Sequence, residues 1–479
     1  MSMKRPMMFC GIAALLLSII AQNADKTVML FVAIALFCSA VCFVIFGKRF
    51  SLYRFVPLLL VLFLISGRCF AEMSKINIAK AFSGRMDIVG TVTDVDYYDE
   101  SVAYTVKTDD YKIRIISTRG EGCLPGERIS ASVVVNQSKK TDYSYGVYAS
   151  AFLKELHSKE PTSSVVGFLY KLRTGIKNIF FDSLCGDEAA MLLGLTVGDK
   201  QYLSDEVSNN IRNAGASHIM VVSGLHLGII VGTFLKIAKK KSFSMRITGI
   251  IGIAIILFLI AITGFTSSVI RSGVTYLIIL AGMFLHRKSD SVNSLFAAVT
   301  ILVAVNPFVC NNISFQLSCS ATFGVIVIAP ALFKILTAKT ADSFADKVIK
   351  AVMSIVSVAL GANLATLPFL LWHFGSFSAV SLITNLFTTH LVTATLILAV
   401  LGIATCFVPF VSKIFLLAAG LCAKIILYLI NSLGSLPYAM FEVAHNKIFS
   451  VLTACFVFVF TFVLLKLSKK RSDTVGNSV

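Results

Sequence analysis

The sequence predicts a polytopic α-helical membrane protein of about twelve spans, with a small β domain inserted after the third span. Of the 479 residues, 56% are hydrophobic and only 14% are charged, whereas soluble domains are about 45–50% apolar and about 25% charged. A single soluble core also stops growing near ~250–300 residues, so the surplus apolar surface must face lipid. One polar stretch, residues 84–157, instead alternates β-branched and polar residues between turn signals, as short strands do.

The apolar runs approach or exceed the length of about 20 residues that a membrane-spanning helix needs. They lie near residues 7–21, 28–46, 55–70, 216–235, 247–264, 268–285, 291–305, 313–333, 350–371, 378–407, 414–433 and 448–466. The first run follows Lys4 and Arg5 as a signal peptide would, but two more runs follow at once and no small-residue cleavage site stands out. We therefore expect it to be a span.

Lys and Arg are concentrated in alternate short loops. The formal net charge is +18, and the loop at 239–246 is one of the basic ones. The other short loops contain almost no Lys or Arg, which is the positive-inside pattern. This pattern predicts a multi-pass protein of the cytoplasmic (plasma) membrane with both termini cytoplasmic. Membrane topology therefore explains the excess of Lys and Arg, and nucleic-acid binding is the alternative explanation.

The polar stretch suggests five or so short strands and a small barrel such as an OB-fold, outside the cytoplasm by the predicted topology. It is rich in tyrosine: Tyr97, Tyr98, Tyr104, Tyr111, Tyr143, Tyr145 and Tyr148. Aromatic side chains on a barrel face can stack on bases. β-Propensity and edge packing also explain them, and the stretch lacks the basic groove that usually accompanies stacking.

The chain divides into five segments. Residues 1–70 hold three N-terminal spans, 71–160 the OB-like β domain, 161–214 an amphipathic interfacial segment, 215–470 the main transmembrane domain and 471–479 a cytoplasmic tail. In the interfacial segment, apolar residues recur at helical spacing around Lys171 and Lys177, so it binds lipid headgroups or guides a nucleic-acid backbone. Cys123 lies in the polar region, where a disulfide would need Cys69 or Cys185.

The stretch "GASHIMVVSGLHLG" (215–228) places unusual polarity in an apolar run. Gly224, Gly228 and Gly232 recur every fourth residue and predict a stripe for close helix packing. Ser223 and His226 share a helix face, as nucleophile and base of an intramembrane serine hydrolase would, although no acidic residue is nearby. Helix–helix hydrogen bonds and the lining of a wet pathway are the alternatives.

Further polar groups interrupt the later spans. They are Arg271 and Ser272 in "TGFTSSVIRSGV", Gln316 in "NPFVCNNISFQLSCSATFG", and Asn363 and His373 in "GANLATLPFLLWHFGSF". Several such spans together indicate a wet interior. No GxxxxGK[ST], HExxH or paired intramembrane carboxylate is present, so we expect no metal, no cofactor, no ATP engine and no proton relay.

These motifs, in this order, resemble the ComEC competence family. The resemblance is carried by 187–200 (DEAAMLLGLTVGDK), 214–229, 263–274, 312–324 and 362–387. It implies an inner-membrane channel for single-stranded DNA in natural transformation, with 215–470 as a competence-type channel domain rather than an enzyme. It makes His218, Ser223, His226, Arg271, Ser272, Gln316, Asn363 and His373 candidates to line the DNA path.

The resemblance also implies partners. These are single-stranded DNA, membrane lipids, an extracytoplasmic DNA receptor and a cytoplasmic helicase-like ATPase. Many relatives carry a C-terminal metallo-β-lactamase-like domain that we do not expect here, so a nuclease would be a separate protein. His390 stands where relatives usually have proline. An intramembrane hydrolase using Ser223 and His226, and a small-solute carrier, remain the alternative functions.

Overall fold

The computed structural model describes most of the chain. The described residues are 6–21, 32, 36, 56–81, 84–98, 100–109, 111–118, 122–137, 142–161, 164–220, 222–286, 290–337, 344–443 and 447–476. The span predicted at 28–46 lies outside the described residues, apart from positions 32 and 36. These residues form two units, one combining Met1–Gly175 with Phe296–Phe315 and the other combining Ile176–Leu295 with Gln316–Val479.

Two helices and a five-stranded sheet make up the described part of the first unit before residue 164. The helices are α1 (Pro6–Ala21) and α2 (Val56–Ala81). The strands are β1 (Gly84–Tyr98), β2 (Ser101–Lys107), β3 (Lys112–Ser117), β4 (Glu127–Gln137) and β5 (Val147–Pro161). They form a closed barrel in the order β1-β2-β3-β5-β4, in which only the β3–β5 pair is parallel.

The alternating sequence builds the barrel interior. In β3 every second residue is buried, and Ile113 and Ile115 are fully enclosed, because successive side chains of a strand point to opposite faces. Tyr104 lies in the same core, whereas Tyr97 and Tyr98 are more than half exposed. Some of the tyrosines therefore pack in the barrel core, and others lie on its surface. Cys69, Cys123 and Cys185 are not joined to one another by disulfides.

A buried carboxylate ties α2 to the barrel. Glu72 is 3% exposed and accepts a hydrogen bond from the Tyr148 hydroxyl of β5. Its other oxygen pairs with Arg68 at 2.8 Å and Lys75 at 3.2 Å. Burial, followed by the hydrogen bond to Glu72, raises the pKa of Tyr148 well above its usual range. The carboxylate is thus paired as a buried charge must be.

The remaining helices follow the barrel. They are α3 (Val165–Ser183), α4 (Gly186–Thr196), α5 (Asp205–Asn213), α6 (Gly224–Lys240), α7 (Met245–Ile262), α8 (Ser267–Phe284), α9 (Ser291–Val305), α10 (Ile313–Phe323), α11 (Ala329–Leu336), α12 (Phe344–Phe374), α13 (Ser381–Ala404), α14 (Pro409–Gly434) and α15 (Lys447–Gly476). A π-helical turn, Gly324–Ile328, joins α10 to α11. Two short strands, β6 (Ser376–Ser378) and β7 (Met440–Glu442), pair antiparallel.

Seven helical stretches in the described part of the chain are long and apolar enough to cross a membrane. They correspond to α7, α8, α10 with α11, α12, α13, α14 and α15. Stretches Met7–Ile20 and Ser291–Val305 are apolar but shorter. The protein is therefore a multi-pass membrane protein, but the described residues do not establish the predicted count of about twelve spans.

One predicted span boundary is wrong. The run at 216–235 does not form one helix, because the described backbone is non-helical up to Ser223 and α6 begins at Gly224. Apolar composition alone concealed this change of secondary structure. The run at 378–407 is too long for one straight helix, and the structure divides it, since Ser376–Ser378 is a strand and α13 covers Ser381–Ala404.

Candidate functional site

A capping box defines the start of α6 inside the "HIMVVSGLHLG" motif. The Ser223 hydroxyl accepts a hydrogen bond from the Leu225 N–H at 3.2 Å. In return, His226 Nδ1 accepts the Ser223 N–H at 2.9 Å. Reciprocal bonds of this kind satisfy N–H groups that a helix start leaves unpaired. The helix therefore begins here and not at residue 216.

The two histidines of the motif have different surroundings. His218 lies in the loop before α6 and is exposed, whereas His226 is 1% exposed. Because Nδ1 of His226 accepts a backbone N–H, its proton is on Nε2. That Nε2 is buried and has no hydrogen-bond partner among the described residues.

The start of α6 lies directly against α8. A Cβ added to Gly224 would lie 2.4 Å from Ser272 Oγ and 3.2 Å from Arg271 Nη2. One turn further, a Cβ on Gly228 would lie 2.4 Å from the Tyr276 hydroxyl oxygen. Around Gly232, in contrast, a Cβ would meet no described atom within 4 Å. The predicted glycine stripe thus contacts α8 at its first two positions, and the packing expected of Gly232 is not seen.

Arg271 joins α8 to α10 through hydroxyl groups. The side chain is 4% exposed, its Nε donates to Ser318 Oγ at 2.9 Å, and its Nη2 donates to Ser272 Oγ at 3.0 Å. Ser318 Oγ also lies 3.0 Å from Ser268 Oγ, and Ser272 Oγ donates to the Ser268 carbonyl at 2.9 Å. Arg271, Ser272, Ser268 and Ser318 therefore form one polar group, the arginine cluster.

Gln316 and His373 form a direct pair. His373 Nε2 lies 2.7 Å from Gln316 Oε1, which connects the end of α12 to the start of α10. Gln316 and Ser318 are two residues apart on α10 and therefore point to different faces of that helix. This pair is thus separate from the cluster around Arg271. Both side chains of the pair are half-buried.

Asn363 belongs to a second polar set. Its Nδ2 donates to Ser381 Oγ at 3.2 Å, which bonds α12 to the first residue of α13. Gly215, with a φ of 70°, approaches the same place, since a Cβ on it would lie 2.5 Å from Ser381 Cβ. The loop between α5 and α6, of which residues 214–220, 222 and 223 are described, therefore contacts this set at Gly215. Gly224, which directly follows the loop, lies against the arginine cluster.

The sequence did not identify every member of these sets. Ser381 and Gly215 lie inside the recognised motifs but were not candidates, and neither were Ser268 and Ser318. A signal for Gly215 existed, because a glycine directly after a short helix often takes a positive φ. Serine carries no such signal in a span. Among the described residues, no group of three or more His, Cys, Asp or Glu could hold a metal ion.

Comparisons with known proteins find a family whose members resemble the region that contains these polar sets. The family model described as "Competence protein" matches residues 195–468, more than half of the chain. ComE operon protein 3 from Bacillus subtilis (strain 168) is 28% identical over 222 residues, which are 46% of this chain and 27% of that relative. No solved structure matches the chain. Because the family model covers most of the transmembrane helices and both polar sets, the chain belongs to the ComEC-type competence protein family.

Proposed function

We propose that this protein forms an inner-membrane channel that carries single-stranded DNA into the cytoplasm during natural transformation. One observation carries the proposal beyond family membership. The irregular loop 214–223 lies between two polar sets built from α8, α10, α12 and α13. Within a membrane, non-helical backbone is tolerated where it is buried in protein or lines a water-filled cavity.

The proposed path contains the eight candidates named from the sequence. Arg271 and Ser272 belong to the arginine cluster and Asn363 to the second set. His218 and Ser223 lie in the loop before α6, His226 lies in the first turn of α6, and Gln316 and His373 form a pair of their own. Hydroxyl, amide and imidazole groups suit passage by shape and backbone contacts without reading sequence. Gly224 and Gly228 support this arrangement by letting α6 approach α8 closely.

The orientation is part of the proposal. The positive-inside rule places the basic loop after α6 in the cytoplasm, with both termini on the same side. The five-stranded barrel, which we assign as OB-like, then faces outward. A DNA receptor outside and a helicase-like ATPase inside would supply capture and energy, and a separate nuclease would remove the second strand.

Deletion of the gene tests this function. Transformation is expected to be abolished while labelled DNA still binds to the cell surface, because only the membrane step is removed. Uptake of labelled small solutes is measured in parallel, and a defect in solute uptake alone would favour a carrier. Normal transformation in the deletion strain, with the wild-type gene absent, contradicts the proposal.

An intramembrane hydrolase is the second candidate. It is favoured by one observation, the 3.1 Å between Ser223 Oγ and His226 Nδ1. The capping box accounts for the same contact, because Nδ1 already accepts the Ser223 N–H. In addition, the described residues place no carboxylate on His226 Nε2, although a catalytic base needs an orienting partner.

Two substitutions at Ser223 separate capping from catalysis. Ser223→Asn keeps a capping side chain without a nucleophilic hydroxyl, whereas Ser223→Ala removes the cap at a cost of about 1 kcal/mol. A channel is expected to keep most DNA uptake in Ser223→Asn and part of it in Ser223→Ala. Complete loss of activity in both variants, at normal protein levels in the membrane, would support the hydrolase.

A further inference from the structure

Arg271 is a buried cation whose described partners carry no negative charge. A guanidinium has five N–H donors, and the described hydrogen bonds from Arg271 use only Nε and Nη2, to Ser318 and Ser272. None of the ion pairs among the described residues includes Arg271. Buried charges are normally paired, so this one is unusual in lacking a carboxylate.

The surrounding backbone increases the local positive potential. The first residue of α6, Gly224, approaches so closely that a Cβ on it would lie 3.2 Å from Arg271 Nη2. A helix N-terminus carries a partial positive charge and attracts anions. Arg271 is itself in the first turns of α8, which starts at Ser267. The N-terminal turns of α6 and α8 therefore both lie close to the Arg271 side chain.

Each helix start also carries an unpartnered polar atom. His226 Nε2, on the first turn of α6, is buried and has no partner among the described residues, and the same is true of Thr266 Oγ1 at the start of α8. His226 is two residues from both Gly224 and Gly228, so it does not share the face of α6 that lies against α8. The unused donors at the contact between the helices are therefore those of Arg271, and together with its positive charge they favour an anion with several oxygens.

We propose that Arg271, beside the start of α6, binds a phosphodiester group of the DNA strand. This inference rests on the proposed function and narrows it to one contact. Guanidinium groups match phosphate geometry, and two of their N–H groups can bind two phosphate oxygens at once. Such a site binds without regard to base identity, because every nucleotide of the strand has the same phosphodiester group.

Salt dependence provides the test. The full-length protein, purified in neutral detergent, is titrated with a fluorescent oligothymidylate at several salt concentrations. Removing one protein–phosphate interaction with single-stranded DNA makes the slope of log K against log[salt] shallower by about 0.7. Arg271→Gln is expected to show that decrease and to bind more weakly, whereas Arg271→Lys keeps the slope because it keeps the charge.

A matched control uses a basic residue elsewhere. Arg246 is exposed and lies in the first turn of α7, at the end of that helix far from Arg271. Arg246→Gln is expected to leave the slope close to that of the wild type. An unchanged affinity and slope in Arg271→Gln, or equal decreases in both variants, would overturn the inference.

The wild-type protein gives a second readout that needs no folded variant. An oligothymidylate containing iodo-deoxyuridine is photo-crosslinked, and mass spectrometry locates the attached peptides. Crosslinks are expected in 218–231 or 267–280. Crosslinks confined to the barrel residues would contradict the site. Disappearance of Arg271-dependent binding when phosphatidylglycerol is added to the micelles would assign the site to a lipid headgroup and overturn the DNA contact.

The outcomes separate this inference from the proposed function. If the deletion strain fails to transform but Arg271→Gln changes neither the salt-dependence slope nor the affinity, the results support the channel and contradict the phosphate contact. If oligothymidylate binding depends on Arg271 but the deletion strain transforms normally, the results support the phosphate contact and contradict the transport function.

Discussion

Gly224→Ala is the sharpest test of how α6 packs. A Cβ at this position would lie 2.4 Å from Ser272 Oγ, well inside the closest approach of real Cβ atoms. The Ser272 hydroxyl cannot rotate away freely, because it accepts from Arg271 Nη2 at 3.0 Å and donates to the Ser268 carbonyl at 2.9 Å. Relieving the clash therefore moves the helix or breaks these hydrogen bonds.

The expected destabilisation follows from these interactions. Overpacking a close contact costs about 1–3 kcal/mol, and a hydrogen bond to a charged group contributes about 1.5–3 kcal/mol. We expect Gly224→Ala to lower the free energy of unfolding by about 2–4 kcal/mol. Gly232→Ala is the matched control, since no described atom lies within 4 Å of its Cβ. It is expected to gain up to about 1 kcal/mol from helix propensity.

Unfolding in mixed detergent–SDS micelles measures both variants. The chain has one tryptophan, Trp372, and it lies on α12 in the same unit as α6 and α8. Its fluorescence reports the transition without a label. DNA uptake is measured in parallel and should fall in Gly224→Ala alone. A Gly224→Ala protein that is as stable as Gly232→Ala would refute the close packing of α6 on α8.

Three further substitutions test other interactions. Gly324→Ala is expected to destabilise the π-helical turn by about 1–3 kcal/mol, because its Cβ would lie 2.1 Å from the Gly361 carbonyl oxygen, which is backbone; thermal unfolding checks this. Asn363→Leu removes the donor to Ser381 and should cost about 0.6 kcal/mol in the same assay. The pKa of Tyr148 is raised in the folded state, so its contribution is complete below the ordinary tyrosine pKa of about 10 and is lost as pH rises above it. Tyr148→Phe should therefore flatten the alkaline fall in barrel stability, followed by circular dichroism.

The barrel was predictable from sequence because its signal is local. Alternation of apolar and polar residues over 84–157 places every second side chain inside, and the structure has five strands between Gly84 and Pro161. The long apolar helices were predictable for the same reason, since length and composition decide them. The start of α6 was not, because "HIMVV" suits a helix as well as a buried loop. Only Ser223 and His226, acting as a capping box, mark the helix start.

The polar candidates were predictable as residues but not as a site. Serine and threonine in a span usually bond the carbonyl four residues earlier, as Thr384 and Thr388 do here. Ser318 and Ser381 instead accept from Arg271 and Asn363 on other helices. Composition and periodicity do not distinguish these cases, because the choice depends on which helix lies opposite.

The break before α6 changes what the motif requires physically. If 216–235 were one helix, its backbone would be fully bonded within itself and His218 would need no special surroundings. The structure instead places irregular backbone and an exposed imidazole inside an apolar stretch. Hydrocarbon cannot satisfy such groups, so the surface around His218 must be protein or water. Because Gly215 and Gly224 fix the two ends of the loop against α13 and α8, that polar surface has a defined place. This requirement supports the proposed hydrated path along the loop more strongly than the individual polar residues do.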